Sequence, residues 1–371
     1  MLGAVLFALA QTQGTTLAFD NPAWAFQPEA AVKAVEFLGR PALVIGTGRA
    51  LRRDITFADG TVEFDLAVTG GRAFAYFQFR MTSDEDHEEI YFRPHKNGLP
   101  DAIQYAPVHQ GLSAWQLYHG PGGTAPAEFV RNGWTHIKIV IAGPSAAVFV
   151  GDVITPQLVV PRMARPGAEG YIALRNFLPA GVDPAKHSSG FANLVLRPGV
   201  VDYDFSKVNP VSSPPGTIPR WEVSRTFVPD SGPVRFIDDS ILKSAQWRTL
   251  SADASGLLNF AIHLTVPDSL RVWGAAARVT LTADRPRTVR LLLGFSDRVT
   301  VFLNGRPLFS GDQRYFFDNP RQEGVIGFHQ ATVYLQLQQG PNEVMLAVSD
   351  QFGGWGVMGR LLEAEGVRIQ P

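Results

Sequence analysis

The chain has 371 residues, no cysteine and a formal net charge of -1, with 33 Lys and Arg against 34 Asp and Glu. These values exclude disulfides, thiolate metal sites and cysteine nucleophiles, and the absence of a basic block removes electrostatic support for binding nucleic acid. Hydrophobic residues form 45% of the sequence, enough for large cores, while 36 Gly and 27 Pro favour many turns between short strands.

The first ten residues are an apolar run that ends in Ala8-Leu9-Ala10. Small residues on both sides of Leu9 are typical of a signal peptide cleaved before Gln11, although no Lys or Arg precedes Lys33. A signal peptide within residues 1–15 predicts a secreted or periplasmic protein. An apolar first strand is the alternative, and it leaves a cytoplasmic location open. No later apolar segment is long enough to span a bilayer.

Strand signals follow at short intervals from residue 16 to residue 198. Residues 51–57 and 61–68 flank the turn Asp59-Gly60, and residues 134–141 alternate between apolar and polar side chains. No segment in this half has a strong helical period. The pattern predicts an all-β domain, a β-sandwich of the jelly-roll type.

Polar side chains recur at every second position of four strands predicted between residues 74 and 120. Alternate side chains of a strand point to the same face, so these residues are expected to share one face of a sheet. The predicted set is Tyr76, Gln78, Arg80, Glu89, Tyr91, Arg93, Gln104, Gln116 and Tyr118. Amides, guanidinium groups and phenols offer directed hydrogen bonds and flat surfaces, which suit a polyhydroxylated ligand. The alternative is a buried polar network between sheets.

Three residues of the same region are candidates for catalysis: Glu89, His95 and Asp101. Histidine can act as an acid or a base near neutral pH, and a carboxylate beside it fits proton abstraction. His119 is added to the predicted substrate-binding residues. The loop of residues 93–105 is predicted to be ordered, either as a functional loop or as a structural connector.

A metal is suggested only by the acidic run of residues 84–89. Hard cations take several oxygen ligands, so this run could hold a structural calcium ion, and a solvated hairpin tip is the alternative. No spacing typical of a zinc site is present, and the sequence requires no cofactor.

Residues 199–254 begin with a proline-rich stretch and are predicted to be a linker or a wrap. A second set of strands occupies residues 255–371 and includes the hairpin signal Asn304-Gly305, which predicts a second β-sandwich. The glycine-rich loop of residues 350–356 carries Phe352 and Trp355, which either stack on a sugar or pack inward. Residues 312–318 form a comparable aromatic loop.

Four segments of the N-terminal half, TFADGTVEFDLAV, FQFR, WTHIKIVIAGPSAAVFVGD and GYIALRN, resemble the concanavalin A-like lectin and glucanase superfamily. Their order resembles laminin G-like modules and, more closely, the 3-keto-disaccharide hydrolase domain, over about residues 19–197. Retaining glucanases of this superfamily use a Glu-x-Asp-x-Glu strand. Here Glu63-Phe64-Asp65 lacks the third carboxylate, so the resemblance does not imply that mechanism.

In the C-terminal half, VTVFLNGRPLFSG and LQQGPNEVMLAVSDQFGGWGVMGRL resemble galactose-binding-like jelly rolls. Both resemblances imply a carbohydrate ligand. A glycoside hydrolase or lyase is one hypothesis, and a lectin-like binding module and an adhesion or scaffold protein are the others. The sequence determines neither the sugar nor the oligomeric state.

Overall fold

The computed structural model describes residues 14–28, 31–179, 181–183, 187–229, 234–235, 246–266, 272–315 and 324–371. Within these ranges the chain is built from β-strands with a few short 3-10 turns, at Pro94–Lys96, Phe205–Lys207 and Phe260–Ile262, and it contains no α-helix. The predicted all-β sandwich class is therefore confirmed. No helix in the described ranges is long and apolar enough to cross a membrane.

The chain divides into two compact units. The first unit comprises the residues up to Thr82, His87–Gln104 and Gly120–Val208. The second unit comprises Ser83–Asp86, Tyr105–His119 and Asn209–Pro371. The sequence between residues 74 and 120 is thus shared by both units.

The strands up to residue 198 are short and follow one another closely. They are β1 (Thr15–Thr16), β2 (Ala25–Gln27), β3 (Val32–Phe37), β4 (Arg40–Ile45), β5 (Gly48–Phe57), β6 (Gly60–Thr69), β7 (Phe74–Met81), β8 (His87–Phe92), β9 (Ile103–His109), β10 (Leu112–Ser113), β11 (Thr124–Ala125), β12 (Thr135–Ala142), β13 (Ser145–Val150), β14 (Leu158–Val160), β15 (Gly170–Phe177) and β16 (Ser188–Pro198). One antiparallel sheet has the order β14-β13-β12-β6-β16-β4-β3, with β1 also paired to β16. The other sheet has the order β10-β9-β8-β7-β15-β5-β2, with β11 also paired to β9.

Phenylalanine side chains join the two sheets of the first unit. The ring centroid of Phe64 on β6 lies 6.2 Å from that of Phe77 on β7 and 5.9 Å from that of Phe92 on β8. Phe191 of β16 completes this buried group, with its centroid 5.8 Å from that of Phe64. Because Phe77 faces this core, its neighbours Tyr76 and Gln78 point to the opposite face of the sheet.

The second unit has its own two sheets. Its strands are β17 (Arg220–Val223), β18 (Arg248–Ser251), β19 (Leu258–Asn259), β20 (Trp273–Ala283), β21 (Arg287–Ser296), β22 (Arg298–Leu303), β23 (Arg306–Asp312), β24 (Ala331–Leu337), β25 (Gly340–Asp350), β26 (Gly356–Leu362) and β27 (Val367–Gln370). One sheet has the order β18-β17-β20-β25-β22-β23, with β27 paired to β20, and the other has the order β19-β26-β21-β24.

The core of the second unit includes residues from the segment predicted to be a linker. Trp221 and Val223 of β17 are fully buried and pack in the same apolar cluster as Leu291 and Val301. The Asn304-Gly305 pair forms the hairpin between β22 and β23, with φ values of 51° and 76°. Positive φ at both central residues is what the favoured two-residue hairpin turn requires.

Candidate functional site

Cross-strand pairing places the predicted polar residues of β7 and β8 side by side. Tyr76 lies opposite Tyr91, and Gln78 lies opposite Glu89. Side chains of directly opposed residues share one face of a sheet. We call the surface formed by these residues the polar face, and its members are Tyr76, Gln78, Glu89, Tyr91, Arg93 and Gln104. All six are buried.

One half of the polar face is organised around Gln104. Its Oε1 accepts hydrogen bonds from the Tyr91 hydroxyl at 2.7 Å and from Arg93 Nη2 at 2.9 Å. Arg93 Nη2 also lies 3.2 Å from Asp101 Oδ2, which accepts a hydrogen bond from Lys96 Nζ. Asp101 therefore balances two cations, and it fixes the position of the loop that follows β8.

The other half is organised around Glu89. Gln78 Nε2 donates to Glu89 Oε2 at 3.0 Å and lies 2.7 Å from His87 Nε2. Glu89 Oε2 is also 3.5 Å from His87 Nε2 and 3.7 Å from Arg175 Nη1. Burial raises the pKa of Glu89, but His87, Arg175 and the Gln78 amide outweigh burial and hold this pKa below its ordinary value. Glu89 is consequently an ionised carboxylate at neutral pH.

Two tyrosine rings connect these halves. The centroids of Tyr76 and Tyr91 are 5.0 Å apart, with 31° between the ring planes. The guanidinium carbons of Arg175 and Arg93 lie 4.8 Å and 5.0 Å from the centroids of Tyr76 and Tyr91 respectively. Burial raises the pKa of both phenols. Both hydroxyl groups therefore stay protonated and can donate hydrogen bonds.

His95 lies in the 3-10 turn beside the polar face. Its ring packs against Phe74, with centroids 5.0 Å apart, and Phe74 in turn lies 6.4 Å from Tyr91. Burial lowers the pKa of His95 to about 4, and the charges of Arg72, Arg93 and Lys96 act in the same direction. His95 is therefore a neutral imidazole at physiological pH.

The low pKa of His95 predicts a loss of stability in acid. Below pH 6.5 the unfolded chain takes up a proton that the native state refuses until pH falls to about 4. Between pH 6.5 and pH 4, the free energy of unfolding of the parent should fall by on the order of 2–3 kcal/mol relative to that of His95→Asn, whose side chain cannot titrate. Urea unfolding at intervals from pH 7 to pH 4 measures the difference. An NMR titration of the His95 ring that gives a pKa of 6 or higher would contradict the prediction.

Several buried polar atoms on or beside the polar face have no hydrogen-bond partner. They are Gln78 Oε1, His87 Nδ1 and Arg93 Nε. Buried polar groups are normally hydrogen-bonded, because an unpaired one costs about 1–3 kcal/mol. These three atoms and the adjacent tyrosine rings mark the polar face as the candidate binding site of the first unit.

Arg80 does not join the polar face, contrary to the prediction. The pairing of β7 with β15 shifts register between Tyr171 and Ala173, and Arg80 has a φ of 50°. The extra residue at this β-bulge reverses the side-chain alternation. The guanidinium group of Arg80 instead donates to the Ala58 carbonyl at 3.0 Å and to Asp59 Oδ1 at 2.7 Å.

The predicted fourth strand is also absent, which affects Gln116, Tyr118 and His119. Strand β10 ends at Ser113, and the Ala114 carbonyl accepts hydrogen bonds from the amides of Leu117 and Tyr118. This turn removes the two-residue alternation on which the prediction relied. All three residues belong to the second unit, where Gln116 Oε1 accepts a hydrogen bond from Ser296 Oγ at 3.1 Å.

Two residues of the site were missed from the sequence. Arg175 lies directly opposite Tyr76, because β15 continues past the predicted end at Leu174. His87 is the first residue of β8, and it lies two residues before Glu89, which in turn lies two residues before Tyr91. Extending the alternation by one step on each strand would have identified both residues.

The residues of the acidic run do not combine into one ligand set. Glu88 Oε1 accepts a hydrogen bond from the Arg165 amide at 2.7 Å, whereas Glu89 points to the polar face. In the described part of the chain, no group of three or more His, Cys, Asp or Glu side chains could hold a metal ion. Calcium binding by residues 84–89 stays a prediction without support from this pair.

The aromatic residues of the second unit separate into buried and exposed ones. Trp355 is fully buried and donates to the Val348 carbonyl at 3.2 Å, so it packs inward. Phe352 is exposed, and its ring centroid lies 6.1 Å from those of Trp115 and Tyr315. The rest of the predicted aromatic loop, Phe316, Phe317 and Asp318, lies outside the described residues.

Comparison with known proteins gives similarity to solved structures only. No protein-family model matches the chain, and no curated protein matches it. The carbohydrate-binding module CBM66 from Bacillus subtilis is 15% identical, with a TM-score of 0.34 over 46% of this chain and 93% of that chain. A Bacillus licheniformis β-glucanase is 13% identical, with a TM-score of 0.37 over 50% and 97% of the two chains.

A third similar structure is a β-1,3-1,4-glucanase derived from a mouse hindgut metagenome. It is 10% identical, with a TM-score of 0.37 over 51% of this chain and 99% of that chain. The β-sandwich class of the present protein rests on its own strand pairing. The resemblances to the 3-keto-disaccharide hydrolase domain and to galactose-binding-like jelly rolls stay predictions.

Proposed function

We propose that the protein binds a carbohydrate on the polar face and does not turn it over. The observation that carries this proposal is the group of buried, unpartnered polar atoms beside the neighbouring, tilted rings of Tyr76 and Tyr91. A sugar hydroxyl both donates and accepts, so it can satisfy the Arg93 Nε–H donor and the Gln78 Oε1 acceptor alike. The C–H faces of a sugar ring pack against aromatic rings, which supply apolar contact area.

The charge states favour binding over hydrolysis. A glycosidase needs one protonated carboxyl group as general acid and a second carboxylate as base or nucleophile. Glu89 is held ionised by His87 and Arg175, and Asp101 is ion-paired with Arg93 and Lys96. Neither of the predicted catalytic carboxylates is therefore suited to donate a proton.

A lyase is the second candidate function, and His95 is the observation that favours it. A neutral imidazole can abstract a proton, and burial together with the charges of Arg72, Arg93 and Lys96 keeps His95 neutral. The scaffold hypothesis receives less support, because a purely structural network would be expected to satisfy its own buried atoms.

Calorimetry of the full chain against a panel of glycans tests the proposal. Arg93→Ala should weaken binding of the best glycan by more than about 1 kcal/mol, because hydrogen bonds to charged groups contribute about 1.5–3 kcal/mol. His95→Phe should also weaken binding, and it keeps an aromatic ring against Phe74. The matched control is Lys33→Ala on exposed β3 of the other sheet.

Two outcomes would overturn the proposal. If both variants bind the best glycan as tightly as the parent and Lys33→Ala, the polar face is structural. If cleaved or unsaturated products accumulate with the parent but not with His95→Phe, the lyase replaces the binding module. Unfolding curves for each variant separate lost binding from lost folding.

A further inference from the structure

The polar face is closed at one end of its strands and open at the other. On β7, Gln78 is fully buried and Tyr76 is 8% exposed, whereas Phe74 is only half-buried. On the neighbouring β15, Ala173 is fully buried and Phe177 is 40% exposed. Because Ala173 pairs with Gln78 and Phe177 pairs with Phe74, exposure increases in the same direction along both strands.

Apolar packing fills the closed end. Ala173 forms a buried cluster with Leu51 of β5 and Met81 of β7, and none of the three has exposed surface. Ala173 lies directly opposite Leu51 on one side and Gln78 on the other, so these side chains share one face of the sheet. A ligand on the polar face cannot extend past this cluster without displacing it. The direction left to the ligand is towards Phe74 and Phe177.

The open end is lined by aromatic rings that continue from the tyrosine pair. The ring centroid of Phe74 lies 6.4 Å from that of Tyr91, and the centroid of Phe177 lies 5.8 Å from that of Phe74. A single exposed phenylalanine is common on protein surfaces. Phe177 differs from such a residue because it is the outermost ring of a row that reaches inward to Tyr76.

Arg175 places hydrogen-bond donors beside this row. Its guanidinium carbon lies 4.8 Å from the ring centroid of Tyr76 and 5.8 Å from that of Phe177. Its Nη1 is 3.7 Å from Glu89 Oε2, which is longer than a hydrogen bond, and 27% of the Arg175 side chain is exposed. A guanidinium group carries several N–H donors that a sugar hydroxyl can accept. An accessible ring flanked by such donors suits a sugar unit.

We infer that the open end is a second sugar subsite, formed by Phe74, Phe177 and Arg175, and that the ligand is an oligosaccharide. This inference rests on the proposed binding function, and it adds the length of the ligand and the direction in which the ligand leaves the polar face. One sugar unit lies against Tyr76 and Tyr91. The next unit lies on the exposed ring of Phe177 and accepts hydrogen bonds from Arg175.

Calorimetry with the full chain tests the length requirement. The probes are oligosaccharides derived from cellulose, laminarin, galactan and mannan, each supplied in lengths from the monosaccharide to the tetrasaccharide. In any series that binds, the tetrasaccharide should bind at least about 10-fold more tightly than the monosaccharide, which corresponds to about 1.4 kcal/mol. The gain comes from the aromatic and guanidinium contacts that only a second sugar unit can reach.

Variants of Phe177 locate the second subsite. Phe177→Ala should weaken binding of the tetrasaccharide about 10-fold and binding of the monosaccharide by less than about 2-fold, since the monosaccharide does not reach this ring. Phe177→Trp keeps an aromatic surface and should retain the preference for the longer ligand. The matched control is Tyr334→Ala, which removes an exposed aromatic ring from β24 of the second unit and should change neither affinity.

The outcomes distinguish this inference from the function on which it rests. If all lengths bind equally and Arg93→Ala weakens each of them, the polar face binds sugars but the second subsite does not exist. If the longer ligand binds more tightly and Phe177→Ala keeps that preference, the additional contacts lie elsewhere and the inference fails. If no glycan binds at all, the proposed function fails together with the inference.

Discussion

Arg80→Ala should be the most destabilising single substitution in the first unit, with an expected decrease of about 3–5 kcal/mol in the free energy of unfolding. The side chain is fully buried, and its guanidinium group donates to three carbonyl oxygens and one carboxylate. The carbonyl oxygens of Ala58 and Gly143 accept hydrogen bonds from Arg80 at 3.0 Å and 2.7 Å respectively. Removing the guanidinium group leaves all four acceptors without this donor, which is why the loss exceeds that of one hydrogen bond.

The contacts of Arg80 explain why this position matters. Asp59 lies in the turn between β5 and β6, and Gly143 lies in the turn between β12 and β13. Arg80 itself lies on β7, in the same sheet as β5, whereas β6, β12 and β13 belong to the other sheet. One side chain therefore connects turns that involve both sheets of the sandwich. The left-handed backbone of Arg80, with a φ of 50°, costs about 1 kcal/mol or more in a residue other than glycine.

Urea unfolding of Arg80→Ala, Arg80→Gly and Arg53→Ala measures the contribution of the guanidinium group. Glycine relieves the backbone strain, so Arg80→Gly should be less destabilised than Arg80→Ala by about 1 kcal/mol. Arg53 is exposed and its guanidinium carbon lies 4.9 Å from the Tyr171 ring centroid, which predicts a loss below about 1 kcal/mol. A loss under 1 kcal/mol for Arg80→Ala would show that these hydrogen bonds are not formed.

Arg80 also shows where sequence reasoning about the site fails. The two-residue alternation places Tyr76, Gln78, Glu89 and Tyr91 correctly, because β7 and β8 pair without interruption there. The same rule misplaces Arg80, since the bulge inserts one residue and reverses the alternation. A positive φ at an arginine has no sequence signal. The acceptors that stabilise it come from Ala58, Asp59, Gly143 and Arg165, which are distant in the sequence.

The remaining errors have local causes. Gln116 and Tyr118 alternate as strand residues would, but the hydrogen bonds to the Ala114 carbonyl form a turn that the side-chain pattern does not encode. Arg175 was missed because the apolar run of β15 ends at Leu174, although pairing with β7 extends the strand to Phe177. Periodicity therefore predicts which residues can share a face, and strand pairing decides which of them do.

In the second unit, Asp350→Asn should raise stability at alkaline pH and flatten its dependence on pH. Asp350 is fully buried, and Asp297 is nearly so. Burial and the neighbouring charge of Asp297 raise the pKa of Asp350 well above its ordinary value. Burial, with a further contribution from Asp312, raises the pKa of Asp297 to about 6. A proton shared by the two carboxyl groups is the state that these shifts favour.

The sign of the pH effect follows from the raised pKa values. The unfolded chain ionises these carboxyl groups near pH 3.8, whereas the native state retains protons up to about pH 6 and beyond. Stability contributed by the pair is thus present below pH 4 and is lost as pH rises through the native pKa values. For Asp297 alone this loss is on the order of 2–3 kcal/mol.

An asparagine at position 350 supplies an N–H donor to Asp297 without a proton to lose. Between pH 4 and pH 8, the free energy of unfolding of Asp350→Asn should therefore fall by on the order of 2 kcal/mol less than that of the parent. The matched control is Asp312→Asn. Burial raises the pKa of Asp312, but Arg314 and Arg298 outweigh it and lower that pKa overall, so this substitution should destabilise the unit at neutral pH.

Urea unfolding at pH 5 and pH 8, together with amide hydrogen exchange, separates these expectations. Asp297 Oδ2 accepts hydrogen bonds from the amides of Gln351 and Phe352 at 3.0 Å and 3.2 Å, so exchange at these two amides reports directly on the pair. In the parent, the exchange rates of these two amides should rise above pH 6 by more than the intrinsic effect of pH on amide exchange. The reason is that repulsion between the two carboxylates loosens the backbone at Gln351 and Phe352. In Asp350→Asn this acceleration should disappear. An equal pH dependence in both proteins would mean that Asp350 is already ionised in the native state.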